Sequence, residues 1–150
     1  MALIRFMSLT NRKQQQLDNV YPTIVQCGTM MKQWNKNKQD SEKTIELFNK
    51  LVSEKRIKHN FITCLLALGA CSNTQNLTQG QLIHRMIKQN DIVVHNSLDK
   101  TKLETALINM FMKCNDVNGA EKLFEQIAAA GKDIFTYGAM LKGNLLVRLC

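Results

Sequence analysis

Leu107, Met110, Phe111 and Cys114 recur at i, i+3, i+4 and i+7, the spacing that places side chains on one face of an α-helix. The pattern breaks at Asn115 and Asp116, either of which is placed to cap a new helix. It resumes with Ala120, Leu123, Phe124 and Ile127, again on one face. Nucleating a helical turn is costly, and neither segment is long enough to recover that cost alone in water. Each must therefore pack on the other and on its neighbours.

The same pair recurs along the chain. Its second helix is repeated in "DSEKTIELFNKLVSEK", with Asp40 or Ser41 as cap and Ile45, Phe48, Leu51 and Val52 facing inward. It appears again in "TQGQLIHRMIK", starting near Thr78. Each copy holds a small residue three positions before a large one: Thr44 before Leu47, Gly80 before Ile83, Ala120 before Leu123. A small side chain there lets the paired helix approach closely. The first helices are "IVQCGTMMKQW", "ITCLLALGACS", "LETALINMFMKC" and "IFTYGAMLKG", with Gly28, Leu65, Thr105 and Gly138 at one equivalent site. Those sites are 37, 40 and 33 residues apart, and the polar connector "NDIVVHNSLDKTK" accounts for the longest interval. A hairpin period in this range predicts an all-α fold, an α-solenoid in which each unit touches only its neighbours. The expected organisation is a basic tail, 1–21, then an array over 22–150: units near 24–60, 61–100 and 101–133, and a half repeat, 134–150.

Composition supports helices and suggests a partner. One proline and seven glycines leave little material for strands, and 45% hydrophobic residues suffice for a core. Twenty Lys and Arg against 12 Asp and Glu give +8, a balance that suits a polyanion, most often nucleic acid. Many basic proteins carry such an excess for other reasons. Five cysteines (Cys27, Cys64, Cys71, Cys114 and Cys150) form no CxxC pair, which favours reduced thiols in an intracellular protein. No apolar run approaches the ~20 residues needed to span a bilayer, so no membrane role is expected. In the tail, Arg5, Arg12 and Lys13 are interleaved with Leu3, Ile4, Phe6 and Leu9, with no acid before Asp18. This composition fits a mitochondrial presequence, and equally an ordinary basic tail.

The order of these motifs carries a family resemblance. "LGACSNTQNLTQGQLIHRMIK", then "TALINMFMKCNDVNGAEKLFEQI", then "DIFTYGAML" is similar to pentatricopeptide repeat proteins. The closer likeness is to the subclass of alternating long and short repeats found in organelle RNA editing factors. The related tetratricopeptide hairpin would open with W-x2-L-G-x2-Y, and Trp34 has no such partners. The resemblance implies a right-handed superhelix holding single-stranded RNA, one base per repeat. It implies base reading by a first-helix residue together with the last residue of the repeat. Those pairs are Gly28 with Asn60, Leu65 with Lys100 or Asp99, and Thr105 with Asp133. Flanking residues that hold the base planes would be Val25, Ile62 and Phe135, with Lys102 interrupting the series.

Only Thr105 with Asp133 has reading chemistry. A carboxylate accepts hydrogen bonds from the N1–H and amine of guanine, whereas the N1 of adenine is itself an acceptor. Asp133 is equally placed to cap the helix that follows it, and Val25, Ile62 and Phe135 could be packing residues. The expected function is an RNA-binding adaptor in organelle RNA processing or C-to-U editing, with mitochondrial localisation and no cofactor. A catalytic editing partner or a further repeat segment would complete it. The zinc deaminase signature, H-x-E with a later P-C-x-x-C, does not occur, and His84 falls at the apolar position of Phe48 and Phe124. The alternatives are a tetratricopeptide-like peptide-binding scaffold and a non-functional fragment of a longer repeat protein. The charge of the first-helix face discriminates: lysines and arginines favour RNA, an apolar groove a peptide.

Overall fold

The computed structural model describes residues 23–54, 61–89, 92, 94, 96–127 and 136–141. Six helices run in order: α1 (Ile24–Asn35), α2 (Ser41–Glu54), α3 (Phe61–Thr74), α4 (Leu77–Lys88), α5 (Ser97–Lys113) and α6 (Val117–Gln126). Residues 136–141 are also helical.

Local chemistry sets the helix ends. Thr23 Oγ1 accepts from Gln26 N at 3.2 Å while Gln26 Oε1 accepts from Thr23 N at 3.0 Å, a reciprocal capping box on α1. The turns closing the second and third hairpins share one construction. Gln75 and Asn115 take left-handed backbone conformations, with φ of 54° and 62°. The next amide reaches back to the helix it leaves: Asn76 N to Cys71 O at 3.0 Å, and Asp116 N to Phe111 O at 2.8 Å. The same residues cap the next helix, Asn76 Oδ1 accepting from Gln79 N and Asp116 Oδ1 from Gly119 N, each at 3.1 Å. Of the two expected caps, Asp116 does the capping and Asn115 makes the bend.

α5 begins earlier than polarity predicts. Asn96 Oδ1 accepts from Asp99 N at 2.8 Å, so residues 97–102, read as connector, are helical. Asp99 and Lys100 therefore sit in the first turn of α5, and Lys100 Nζ lies 4.0 Å from Glu104 Oε1.

The helices pack as a row of hairpins. α1 packs on α2 and α3; α3 also packs on α2, α4 and α5; α4 and α6 pack on α5. Each second helix thus lies against its own first helix, and α2 and α4 also against the next one, so burial grows along the row. Met31, Leu47, Phe48, Leu68, Ile83, Ile108 and Met110 are fully buried along it.

The small residues act where expected, with one difference. Thr44 Oγ1 donates to Met31 O of the paired α1 at 3.3 Å. Gly80 instead serves the following hairpin, because a methyl group there would collide with Met110 Sδ on α5 and lie 2.6 Å from Cε. Polar side chains cross-link the row: Asn73 Nδ2 donates to Asn35 O at 3.0 Å and Ser41 Oγ at 2.9 Å, and Asn35 Nδ2 donates to Leu66 O at 2.8 Å.

The thiols of Cys27, Cys64, Cys71 and Cys114 are free. Burial pushes Cys64 and Cys71 up to about 12 and Cys27 to about 11, so they pack as small apolar groups. His84 is half-buried with its ring edge-on to Phe111, centroids 5.6 Å apart at 79°. Burial first, and Lys88 second, hold its imidazole below the ordinary value of 6.5. The fold therefore prefers neutral His84, while the unfolded chain protonates at the ordinary value. Stability should be complete above about pH 6.5 and decline as pH falls below it. Urea melts from pH 7.5 to 5 should show this slope for the natural chain and a shallower one for His84→Phe. Identical slopes would mean that His84 is solvated.

Candidate nucleic-acid interface

One face of each first helix stays outside the core. α1 buries Cys27, Met31 and Trp34, which leaves Val25, Thr29, Lys32 and Lys36 exposed and Gly28 half-buried. On α3, Ile62 is exposed, and Leu65, Leu66, Gly69 and Asn73 are half-buried. On α5, Lys102 and Lys113 are exposed, and Thr105, Ala106 and Asn109 are half-buried. These positions match in register, so rows run across three helices packed side by side. The first is Val25, Ile62, Lys102; the second is Gly28, Leu65, Thr105. The spacing confirms adjacency at one point, since a Cβ on Gly28 would lie 4.0 Å from Leu66 Cδ1.

The first row changes character along its length. Val25 is 73% and Ile62 55% exposed, an unusual state for branched apolar residues on a packed helix. Lys102 follows, its Nζ 6.0 Å from the centroid of the Phe61 ring. In the second row, Thr105 Oγ1 lies 3.2 Å from Thr136 Oγ1 on the next helical segment. Phe124 and Tyr137 meet edge-on at 5.3 Å, fixing the same segment against α6. Asn60, Asp133 and Phe135 lie outside the described residues. Thr136 is the residue that periodicity passes over: it is fully buried, and only the repeat register places it opposite Thr105.

Lysines stand out on this face. Lys32, Lys36, Lys102 and Lys113 are exposed there, Lys102 within the first row, while Asp99 lies in the first turn of α5. Glu104 lies beside them, half-buried, its carboxyl pushed up by burial against the opposing pull of Lys100. The described residues hold 11 Lys and Arg against 9 Asp and Glu, so they carry only +2 of the formal +8. Placement, not bulk charge, therefore marks this face. Among the described residues no cluster of three or more His, Cys, Asp or Glu could hold a metal ion, and no helix is long and apolar enough to cross a membrane.

Comparison with known proteins finds several pentatricopeptide repeat-containing relatives. The pentatricopeptide repeat-containing protein At2g02980, chloroplastic, of Arabidopsis thaliana is 30% identical over 122 residues, covering 81% of this chain and 19% of its own. The pentatricopeptide repeat-containing protein ELI1, chloroplastic, of the same plant is 35% identical over 97 residues, 65% of this chain and 14% of its own. A third, At3g22690, is 25% identical over 112 residues, 75% of this chain and 12% of its own. The chain thus spans less than a fifth of the length of each of these relatives. No family model matches the chain, and no solved structure matches it significantly. With its hairpins in register and these likenesses over most of its length, the chain belongs to the pentatricopeptide repeat family.

Proposed function

We propose that this chain binds single-stranded RNA along the face formed by α1, α3 and α5, as an adaptor in organelle RNA processing. The observation that carries this reading is the face on which Lys32, Lys36, Lys102 and Lys113 stand exposed around half-buried Gly28, Leu65 and Thr105. A base placed between neighbouring first helices would lie against Val25 and Ile62, while the lysines meet phosphates. Thr105, with Asp133 as its partner, is the site with chemistry to select guanine. Gly28 with Asn60 and Leu65 with Asp99 or Lys100 would tolerate several bases, and Phe135 would close the third site.

C-to-U editing, in the manner of the alternating long and short repeat subclass, is the finer form of this reading. It would need a catalytic partner or a further segment. The chloroplastic names of two relatives support an organelle, with the chloroplast beside the mitochondrion suggested by the tail. The exposed Val25 and Ile62 equally suit an apolar side chain of a bound peptide, which is the second reading.

The test is titration of the full chain with uridine decamers carrying one central G or A, at rising salt. Binding should appear at low salt and fall with log salt at about −0.7 per phosphate contacted. Guanine should be preferred, and Asp133→Ala should erase that preference. Equal affinity for the G and A decamers would remove base reading. No binding at low salt would remove RNA altogether and leave the peptide.

A further inference from the structure

Helical hydroxyls in this chain mostly turn back onto their own helix. Thr29 Oγ1 donates to Val25 O at 2.9 Å, Ser72 Oγ to Leu68 O at 3.1 Å, Thr74 Oγ1 to Ala70 O at 2.9 Å and Thr101 Oγ1 to Ser97 O at 3.0 Å. Such a bond fixes the side-chain rotamer and uses the single hydroxyl proton. Thr44, which donates to Met31 O of the paired helix, and Thr105 depart from the series. Thr105 Oγ1 reaches across to Thr136 Oγ1, 3.2 Å away on the next helical segment.

We propose that Thr136 is a positioning residue for base discrimination: it holds the Thr105 hydroxyl off its own helix and open to the RNA face. The inference rests on the RNA reading above and adds a residue to it. Thr136 is fully buried and Thr105 half-buried, so the first is anchored and the second stays within reach of a ligand. Two hydroxyls this close share one proton. The oxygen of Thr105 then keeps either a lone pair or its proton for a base edge, in a direction set by its neighbour. Without that neighbour, Thr105 would return to the carbonyl one turn back, as Thr29 and Thr101 do.

The register confines this pair to one site. The positions matching Thr105 and Thr136 are Gly28 with Thr63, and Leu65 with Leu103, and neither combination can pair two hydroxyls. The edge-on contact of Tyr137 with Phe124 ties the segment that carries Thr136 to α6.

The test uses the full chain and uridine decamers with one central G or A, read as the ratio of the two affinities. Thr136→Val keeps shape and branching and removes the hydroxyl. It should reduce the G-over-A ratio roughly three- to tenfold, the worth of about one net hydrogen bond, with the circular dichroism spectrum unchanged. Thr136→Ser should keep the ratio within about twofold of the natural chain. If the valine variant does not fold, Thr136→Cys replaces it under the same readout and should give an intermediate loss. A natural ratio in Thr136→Val beside a lost ratio in Thr105→Ala would overturn the positioning role while leaving RNA reading intact. A natural chain that binds RNA without preference, or not at all, would overturn base reading, and this inference with it.

Discussion

Leu68→Ala is expected to lower stability by about 2–5 kcal/mol, the range for truncating a large buried aliphatic side chain where the cavity cannot collapse. Leu68 is fully buried on α3, and α3 packs on α1, α2, α4 and α5. Among the described residues it lies at the centre of the row. In an array held by nearest-neighbour interfaces, a loss at the centre uncouples both ends, whereas a loss at one end frays that end. Leu123→Ala is the comparison: Leu123 is 7% exposed on α6, which packs on α5 alone among the principal contacts. Urea melts followed by circular dichroism should show a lower midpoint for Leu68→Ala over the whole signal. Leu123→Ala should give an early partial loss followed by a near-natural transition. Equal shifts with equal slopes would mean a closed single core rather than a neighbour-only row.

Gly80→Leu is the second large effect. Any side chain at Gly80 meets Met110 of α5, which is itself fully buried and has little room to withdraw. Overpacking of this kind costs about 1–3 kcal/mol and should part α4 from α5. Gly28 and Gly138 behave oppositely. A Cβ on Gly28 has only Leu66 Cδ1 at 4.0 Å, and one on Gly138 has nothing within 4 Å. Gly28→Ala and Gly138→Ala should therefore gain up to about 1 kcal/mol from helix propensity. Thermal melts of the three variants give the answer directly. A Gly80→Leu protein as stable as the natural chain would mean that α4 and α5 do not approach closely.

The repeat itself was legible because its signals are periodic. Thr44, Gly80 and Ala120 each precede a large apolar residue by three, and all three are buried. Asp116 could be read as a cap because its oxygen must sit just before an apolar run, and it does. The capping box of Thr23 and Gln26 is equally written in the chain, a Thr followed three residues later by a Gln.

The start of α5 was not legible. Ser97 to Lys102 bury nothing strongly apolar, Leu98 being 59% exposed, so they carry no amphipathic period and their helicity comes from the Asn96 cap and from Leu103 onward. The partner of Gly80 was also misplaced, since a small residue says that something comes close but not which helix does. At the candidate site, the positions of Gly28, Leu65 and Thr105 followed from register alone. The link from Thr105 to Thr136 spans 31 residues and depends on how two side chains rotate, which no local pattern encodes.

The bends at Gln75 and Asn115 have a wider implication. The same left-handed step is made by a glutamine in one hairpin and an asparagine in the next, neither being the residue that adopts it most readily. Two corners of one chain thus reach the same geometry with different side chains at the apex, so the apex residue type does not by itself specify the turn.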